Sequence, residues 1–146
     1  MMRIERAVVI NRPVNEVFDF IAEPGNDPRW CHKVLSVEQV EGLGPGPGSR
    51  YAVVHRPVPG RPPRNLTHFC VAWEPPHRVE WREDDGTDLF LVEYSLEATP
   101  RGTRLQQRSE AELGVARLLR PIFRAGIGRD ITKQLRALKR LLEAGS

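Results

Sequence analysis

From Val115 to Glu143 the large apolar residues Val115, Leu118, Leu119, Ile122, Ile127, Ile131, Leu135, Leu138 and Leu142 recur mostly three to five positions apart. That spacing draws one greasy stripe along an α-helix. The other positions carry Arg117, Arg120, Arg124, Arg129, Lys133, Arg136, Lys139 and Arg140. Intrinsic helix propensity contributes only tenths of a kcal/mol per residue. Burying the stripe is worth roughly 15–25 kcal/mol gross, an upper bound because an unfolded chain already hides part of its surface. Packing therefore decides this helix, and the rest of the chain must offer it a broad apolar surface. Pro121, Gly126 and Gly128 interrupt the run. Either the helix kinks there and its backbone approaches a ligand or a sheet, or Pro121 starts a helix whose glycines permit close packing.

Upstream, Arg3–Ile10 reads as a strand rich in β-branched residues. After Asn11-Arg12-Pro13 the period changes, with Val14, Val17, Phe18 and Ile21 at helical spacing. Pro24-Gly25 ends that short helix, and Asn26-Asp27-Pro28 starts one more turn that delivers Trp30 towards the core. Six further strands are expected at Lys33–Val40, Ser49–Arg56, Asn65–Glu74, His77–Glu83, Asp88–Ala98 and Thr103–Leu113. Gly- and Pro-rich turns separate them, as in an antiparallel meander. The loop from Pro57 to Pro63 holds four prolines, which stiffen it into a rim at one end of the sheet.

Alternation assigns the faces. Phe69, Val71 and Trp73 share one side of their strand, opposed by His68, Cys70 and Glu74; Val79 and Trp81 oppose Arg78, Glu80 and Arg82. Phe90, Val92, Tyr94 and Leu96 fall together, as do Thr103, Leu105, Gln107 and Ser109. One face is thus aromatic with a few uncharged polar groups, and the other is charged. The aromatic face must meet the C-terminal helix, which gives an α+β layer.

At 146 residues one domain over residues 1–146 is expected. No run of apolar residues is long enough to span a bilayer, and the N-terminus lacks the apolar core of a signal peptide. The chain is expected to be cytoplasmic, with Cys31 and Cys70 as reduced thiols. The net charge is +3, yet the segment from Gly114 onward carries +6 and the remainder −3. No aromatic residues alternate with these arginines as a surface for single-stranded nucleic acid requires. No nucleic-acid partner is expected, nor stable membrane insertion; the chain should be a monomer or homodimer.

Several stretches resemble a known family. "INRPVNEVFDFIAEPGNDPRW" is similar to the opening strand and Pro-led helix of START/Bet v 1-like (SRPBCC) proteins, and "GPGSRY", "VAWEPPHRVEW", "RGTRLQQRSE" and "ITKQLRALKRLLE" resemble their later strands and terminal helix. More narrowly, the chain resembles the polyketide cyclase/dehydrase and lipid-transport branch. That resemblance implies a helix-grip fold: a seven-stranded curved antiparallel sheet around a long C-terminal helix, with two short helices between strands 1 and 2. It also implies a tunnel between sheet and helix for a hydrophobic small molecule such as a lipid, polyketide, aromatic or isoprenoid. The lining would be Trp30, Tyr51, Val53, His55, Phe69, Val71, Trp81, Phe90, Val92, Tyr94, Gln107 and Ser109, with Ile122, Phe123, Gly126 and Ile127 from the helix.

Chemistry is less marked. His32, His55, His68 and His77 lack close ligand spacing, so neither a metal nor another cofactor is expected. Ser95 and Ser109 lie in no nucleophile elbow. The catalytic candidates are His55 as a general base for enolising a poly-β-ketone, with Tyr51 or Tyr94 polarising the carbonyl. Three readings stay open: a ligand-binding protein, a cyclase or dehydratase acting on such a ligand, and an interaction module that contacts a protein or membrane.

Overall fold

The computed structural model describes residues 2–56, 60, 62–112 and 116–145. Val115, at the head of the helical stripe, and Pro57, Val58, Pro59 and Arg61 of the proline loop lie outside them. Seven strands, β1 (Met2–Ile10), β2 (Val34–Glu41), β3 (Arg50–His55), β4 (Arg64–Glu74), β5 (Arg78–Asp84), β6 (Leu89–Thr99) and β7 (Gly102–Glu112), form one sheet in the order β1-β7-β6-β5-β4-β3-β2. Every neighbouring pair is antiparallel. Helix α1 (Val14–Ile21) and a 3-10 turn (Pro24–Arg29) connect β1 to β2, and helix α2 (Arg120–Ala144) closes the chain. This is the helix-grip arrangement. Among the described residues no helix is long and apolar enough to cross a membrane.

Turn chemistry sets the meander. Gly102 opens β7 at φ 125°, where a Cβ would sit 2.2 Å from the Ile10 carbonyl oxygen, so only glycine lets β7 pass the end of β1. Helix α1 buries Val17, Phe18 and Ile21 against the sheet and meets Trp73 edge-on, with ring centroids 5.3 Å apart.

The face expected for β4 needs correction. Tyr51 pairs with His68 and Val53 with Leu66, so Leu66, His68 and Cys70 share the concave face with β3's buried Tyr51, Val53 and His55. Phe69 and Val71 face the other way: the Arg50 guanidinium lies over the Phe69 ring at 4.8 Å, and Val71 is exposed. A β-bulge explains the error. The β4–β5 register jumps from Cys70↔Trp81 to Ala72↔Glu80, which leaves Val71 as the extra residue and returns Trp73 to the inner side. Strict alternation counted back from Trp73 therefore inverts every residue before the bulge.

The helix takes the second of the two courses open to it. Pro121 lies in the first turn of α2, where its missing N–H is no loss, so it starts the helix and does not kink it. Gly128 is a packing glycine: a Cβ there would lie 2.5 Å from the Arg6 guanidinium of β1. The stripe is covered only towards its end. Ile131, Leu135, Leu138 and Leu142 are buried, whereas Leu118, Leu119, Ile122 and Phe123 are exposed. Lateral clasps hold the covered end. Arg12 donates to the carbonyls of Leu142 and Glu143, Asn11 N–H donates to the Glu143 carboxylate, and Lys139 reaches both Val9 O and Glu143.

Candidate functional site

The concave face divides into an apolar side and a polar side. Ile4 and Ile10 of β1, Leu96 of β6 and Leu105 of β7 are buried together with Leu135 and Leu138 of α2. Across the central strands the registers Tyr51↔His68 and His68↔Glu83 set three polar side chains in one row on β3, β4 and β5. Glu83 reaches this face because Val79, Trp81 and Glu83 alternate inward along β5. His68 Nδ1 lies 3.2 Å from Glu83 Oε1, and its ring stacks on Trp81 at 4.5 Å between centroids. Tyr51 meets Trp81 edge-on at 5.9 Å.

The 3-10 turn covers this row. Trp30, just after it, packs edge-on to Tyr94 at 6.3 Å, and Cys31 is buried beside it. Asp27 belongs to the same electrostatic group: its carboxyl is raised well above the usual range by burial, then by the charges of Glu83 and Glu23. Burial and the Asp27 charge likewise raise the Cys31 thiol. Glu83 goes the other way. Burial works to raise it, but contact with His68 and the charges of His68 and Lys33 outweigh that and hold it below the usual carboxylate range. An ionised Glu83 accepts from His68 Nδ1–H.

Desolvation lowers the His55 imidazole to about 4, so it is neutral at pH 7 and can accept a proton. Burial pushes the Tyr51 phenol up to about 12 and that of Tyr94 well above its ordinary value. Both tyrosines are therefore hydrogen-bond donors and not phenolates. Three buried polar atoms here, Trp30 Nε1, Tyr51 Oη and Gln107 Oε1, make no hydrogen bond of full geometry among the described residues, although Trp30 lies against the Asp27 carboxyl and Tyr51 against Ser49. The Gln107 amide nitrogen donates to Ser109. Between the turn and α2 runs a cleft of about 90 Å³ lined by Trp30, Lys33, Gln134 and Ala137, among others.

Of the lining residues expected from sequence, Trp30, Tyr51, Val53, His55, Trp81, Val92, Tyr94, Gln107 and Ser109 are buried on the concave side, and Phe90 packs against the same core. Phe69 and Val71 lie on the convex side. Ile122 is 68% exposed and Phe123 42%, because the first turns of α2 extend past the cover the sheet provides. Gly126 and Ile127 are half-buried at the border. His68, Glu83, Asp27 and Cys31 were not anticipated. The period-2 run Val79, Trp81, Glu83 carried a signal for Glu83; the bulge hid His68, and nothing in a Pro-Gly-rich turn marked Asp27. Among the described residues no three His, Cys, Asp or Glu side chains converge on a point that would hold a metal ion.

Similar folds are known. The chain superimposes on TTHA0849 from Thermus thermophilus with a TM-score of 0.78 and 19% identity, covering 99% of this chain and 97% of that one. DR_A0006 from Deinococcus radiodurans gives 0.75 and 18% over the whole of both chains. The di-domain ARO/CYC StfQ from the steffimycin biosynthetic pathway gives 0.77 and 14%, with 99% of this chain matching 52% of that one. Identities this low establish a shared fold. No curated protein matches the sequence. The sequence pattern of the polyketide cyclase / dehydrase and lipid transport family matches residues 1–143, and the chain belongs to that family.

Proposed function

We propose that the protein binds a hydrophobic small molecule of the lipid, polyketide, aromatic or isoprenoid kind between the concave face and α2. The observation that carries this reading is Gln107 Oε1, buried without a hydrogen-bond partner among the described residues, together with Tyr51 Oη and Trp30 Nε1, whose contacts with Ser49 and Asp27 fall short of full hydrogen-bond geometry, all on an otherwise aromatic surface. Buried polar atoms are nearly always paired, and a few convergent polar groups in an apolar pocket are what orient a small ligand. The cleft beside Trp30, about 90 Å³, is well below the roughly 300–1,000 Å³ of a small-molecule pocket. A ligand of that size would have to extend beyond the cleft, toward the uncovered first turns of α2. Membership of a family described by cyclisation, dehydration and lipid transport supports the same ligand class. The buried free thiols Cys31 and Cys70 suit a reducing cytoplasm.

Native mass spectrometry of the purified protein is expected to show a co-purifying apolar ligand. Tyr51→Phe should weaken binding of a hydroxylated or carbonyl-bearing ligand about five-fold, the worth of one hydrogen bond at about 1 kcal/mol. Val92→Trp, which fills the floor, should abolish it. A protein that carries no ligand and takes up no hydrophobic fluorescent probe refutes the reading.

The His68–Glu83 pair favours a second reading, acid–base chemistry on the bound molecule. A carboxylate on Nδ1 leaves Nε2 as the working nitrogen, and neutral Tyr51 and Tyr94 can polarise a carbonyl. His55, lowered to about 4 by burial, is a poor base at neutral pH. On this reading Glu83→Gln abolishes turnover of a cyclisable polyketide while binding survives; unchanged turnover removes the pair from the mechanism.

A further inference from the structure

The protein neutralises most of the cations on its convex face. Arg78 bridges Glu74, Glu80 and Glu93, and Arg108 bridges Glu93 and Glu110. The outward face of α2 is built differently. Arg129, Lys133, Arg136 and Arg140, with Arg6 from β1, surround a groove of about 540 Å³ whose lining contains no acidic residue. None of the five makes an ion pair among the described residues; Arg6 donates only to the Glu5 carbonyl. Concentrating like charge without counter-charge costs stability through repulsion, so a solvated face alone gives little reason for the arrangement.

Spacing adds the second observation. Positions 122, 129, 133, 136 and 140 of α2 follow one another at steps of three, four or seven, which keeps them on one side of the helix, and Leu118 precedes them in a 3-10 turn (Arg117–Leu119) that leads into it. The line therefore begins with Leu118, 90% exposed, and Ile122, 68% exposed, before it becomes basic. Leu119 flanks them, also exposed. Cations alone would suit an acidic protein or a nucleic acid. Cations that continue into bare leucine and isoleucine along one edge fit a partner with both a negative surface and accessible hydrocarbon.

We propose that this face of α2 docks the protein on anionic lipid bilayers, with the helix lying flat. Leu118, Leu119 and Ile122 enter the headgroup–acyl boundary, and the four helix cations and Arg6 rest on lipid phosphates. Lys133 and Arg140 also border the cleft beside Trp30, but the inference rests on exposed side chains and not on what the pocket binds.

Sedimentation of the intact protein with vesicles tests it, using phosphatidylcholine alone against phosphatidylcholine mixed with phosphatidylglycerol at low salt. The protein should partition onto the anionic vesicles and not the neutral ones, and high salt should release it. Removing two cations with Arg129→Ala and Lys133→Ala should lower the partition coefficient about 30-fold, from about 1 kcal/mol per basic residue at an anionic surface. Leu118→Glu with Ile122→Glu should weaken it as well, and because these side chains are exposed neither double variant should melt below the wild type. The proposal falls if the wild type ignores anionic vesicles at low salt, or if both double variants bind unchanged. It also falls if the face proves to join two copies: a solution dimer that Ile122→Glu dissociates, with no vesicle binding.

Discussion

Between Ile131 and Glu143, α2 is buried on one side and clasped on the other, whereas between Arg120 and Gly126 it touches little of the described structure. Both halves carry the same alternation of aliphatic and basic residues. The difference lies in what the rest of the fold offers them. The later half lies where β1 ends, and Arg12 there caps the carbonyls of Leu142 and Glu143 while Lys139 reaches back to Val9. Such groups complete a helix C-terminus whose last carbonyls have no partner within the helix. The earlier half begins at Arg120, with Pro121 in its first turn and no side-chain cap. A stripe legible from sequence thus specifies a helix without specifying how much of it is covered, and the uncovered part is left for a ligand on its inner side and a surface on its outer one.

The largest expected effect tests that contrast directly. Leu138 is fully buried and Leu118 is 90% exposed, one residue from each half of the same stripe. Leu138→Ala should cost about 2–5 kcal/mol in urea unfolding through lost burial and the cavity left behind. Leu118→Ala should stay within about 0.5 kcal/mol, the range for surface substitutions. Similar losses at both positions would mean that the first turns are packed in solution, and the contrast would collapse.

The glycines sharpen it at smaller magnitude. A Cβ at Gly126 meets nothing within 4 Å, while one at Gly128 meets the Arg6 guanidinium. Gly126→Ala should therefore stabilise the helix by up to about 1 kcal/mol, the propensity difference between the two residues. Gly128→Ala should gain less, because the Arg6 side chain must first move aside. Thermal melts of the two variants give the order, and a Gly128→Ala gain equal to that of Gly126→Ala would show the Arg6 contact to be absent.

How much of this was legible in advance follows from which features are periodic. Strand number, turn positions and sheet polarity could be read because Gly and Pro clusters punctuate runs of period 2. The inward sides of β5, β6 and β7 followed from the same period, while that of β3 came with the family resemblance. The bulge at Val71 broke that rule: it inserts one residue without a glycine or proline to announce it, so Phe69 and Val71 were turned inward and His68 outward. The polar half of the site was lost with that inversion, although Glu83 was within reach of the alternation that placed Val79 and Trp81. Asp27 could not be placed, since its position depends on a 3-10 turn whose path is set by packing against β2 and α1. Pro121 was ambiguous for a different reason: proline at a first helical turn and proline at a kink look alike until the preceding turn is known.

The smallest expected effect concerns the clasp at the covered end. Glu143 accepts from Lys139 Nζ at 2.7 Å and from the Asn11 backbone N–H at 2.8 Å, and its pKa is lowered by the Lys139 hydrogen bond first and the Asn11 hydrogen bond second. A carboxyl with a folded pKa below its unfolded one stabilises the fold above the unfolded value, here about 4.5, and that share is lost as pH falls through the folded value. Exposed pairs of this kind are worth about 0.2–1 kcal/mol. Glu143→Gln should therefore destabilise the protein slightly at neutral pH, and the gap to wild type should close in acid as the carboxylate takes up its proton. The first turns of α2 contain no acidic residue, so amide exchange there should not respond over the same range, whereas exchange near Leu142 should quicken. If acid loosens both ends of the helix alike, the clasp is not what distinguishes them, and the covered end owes its order to Leu135, Leu138 and Leu142 alone.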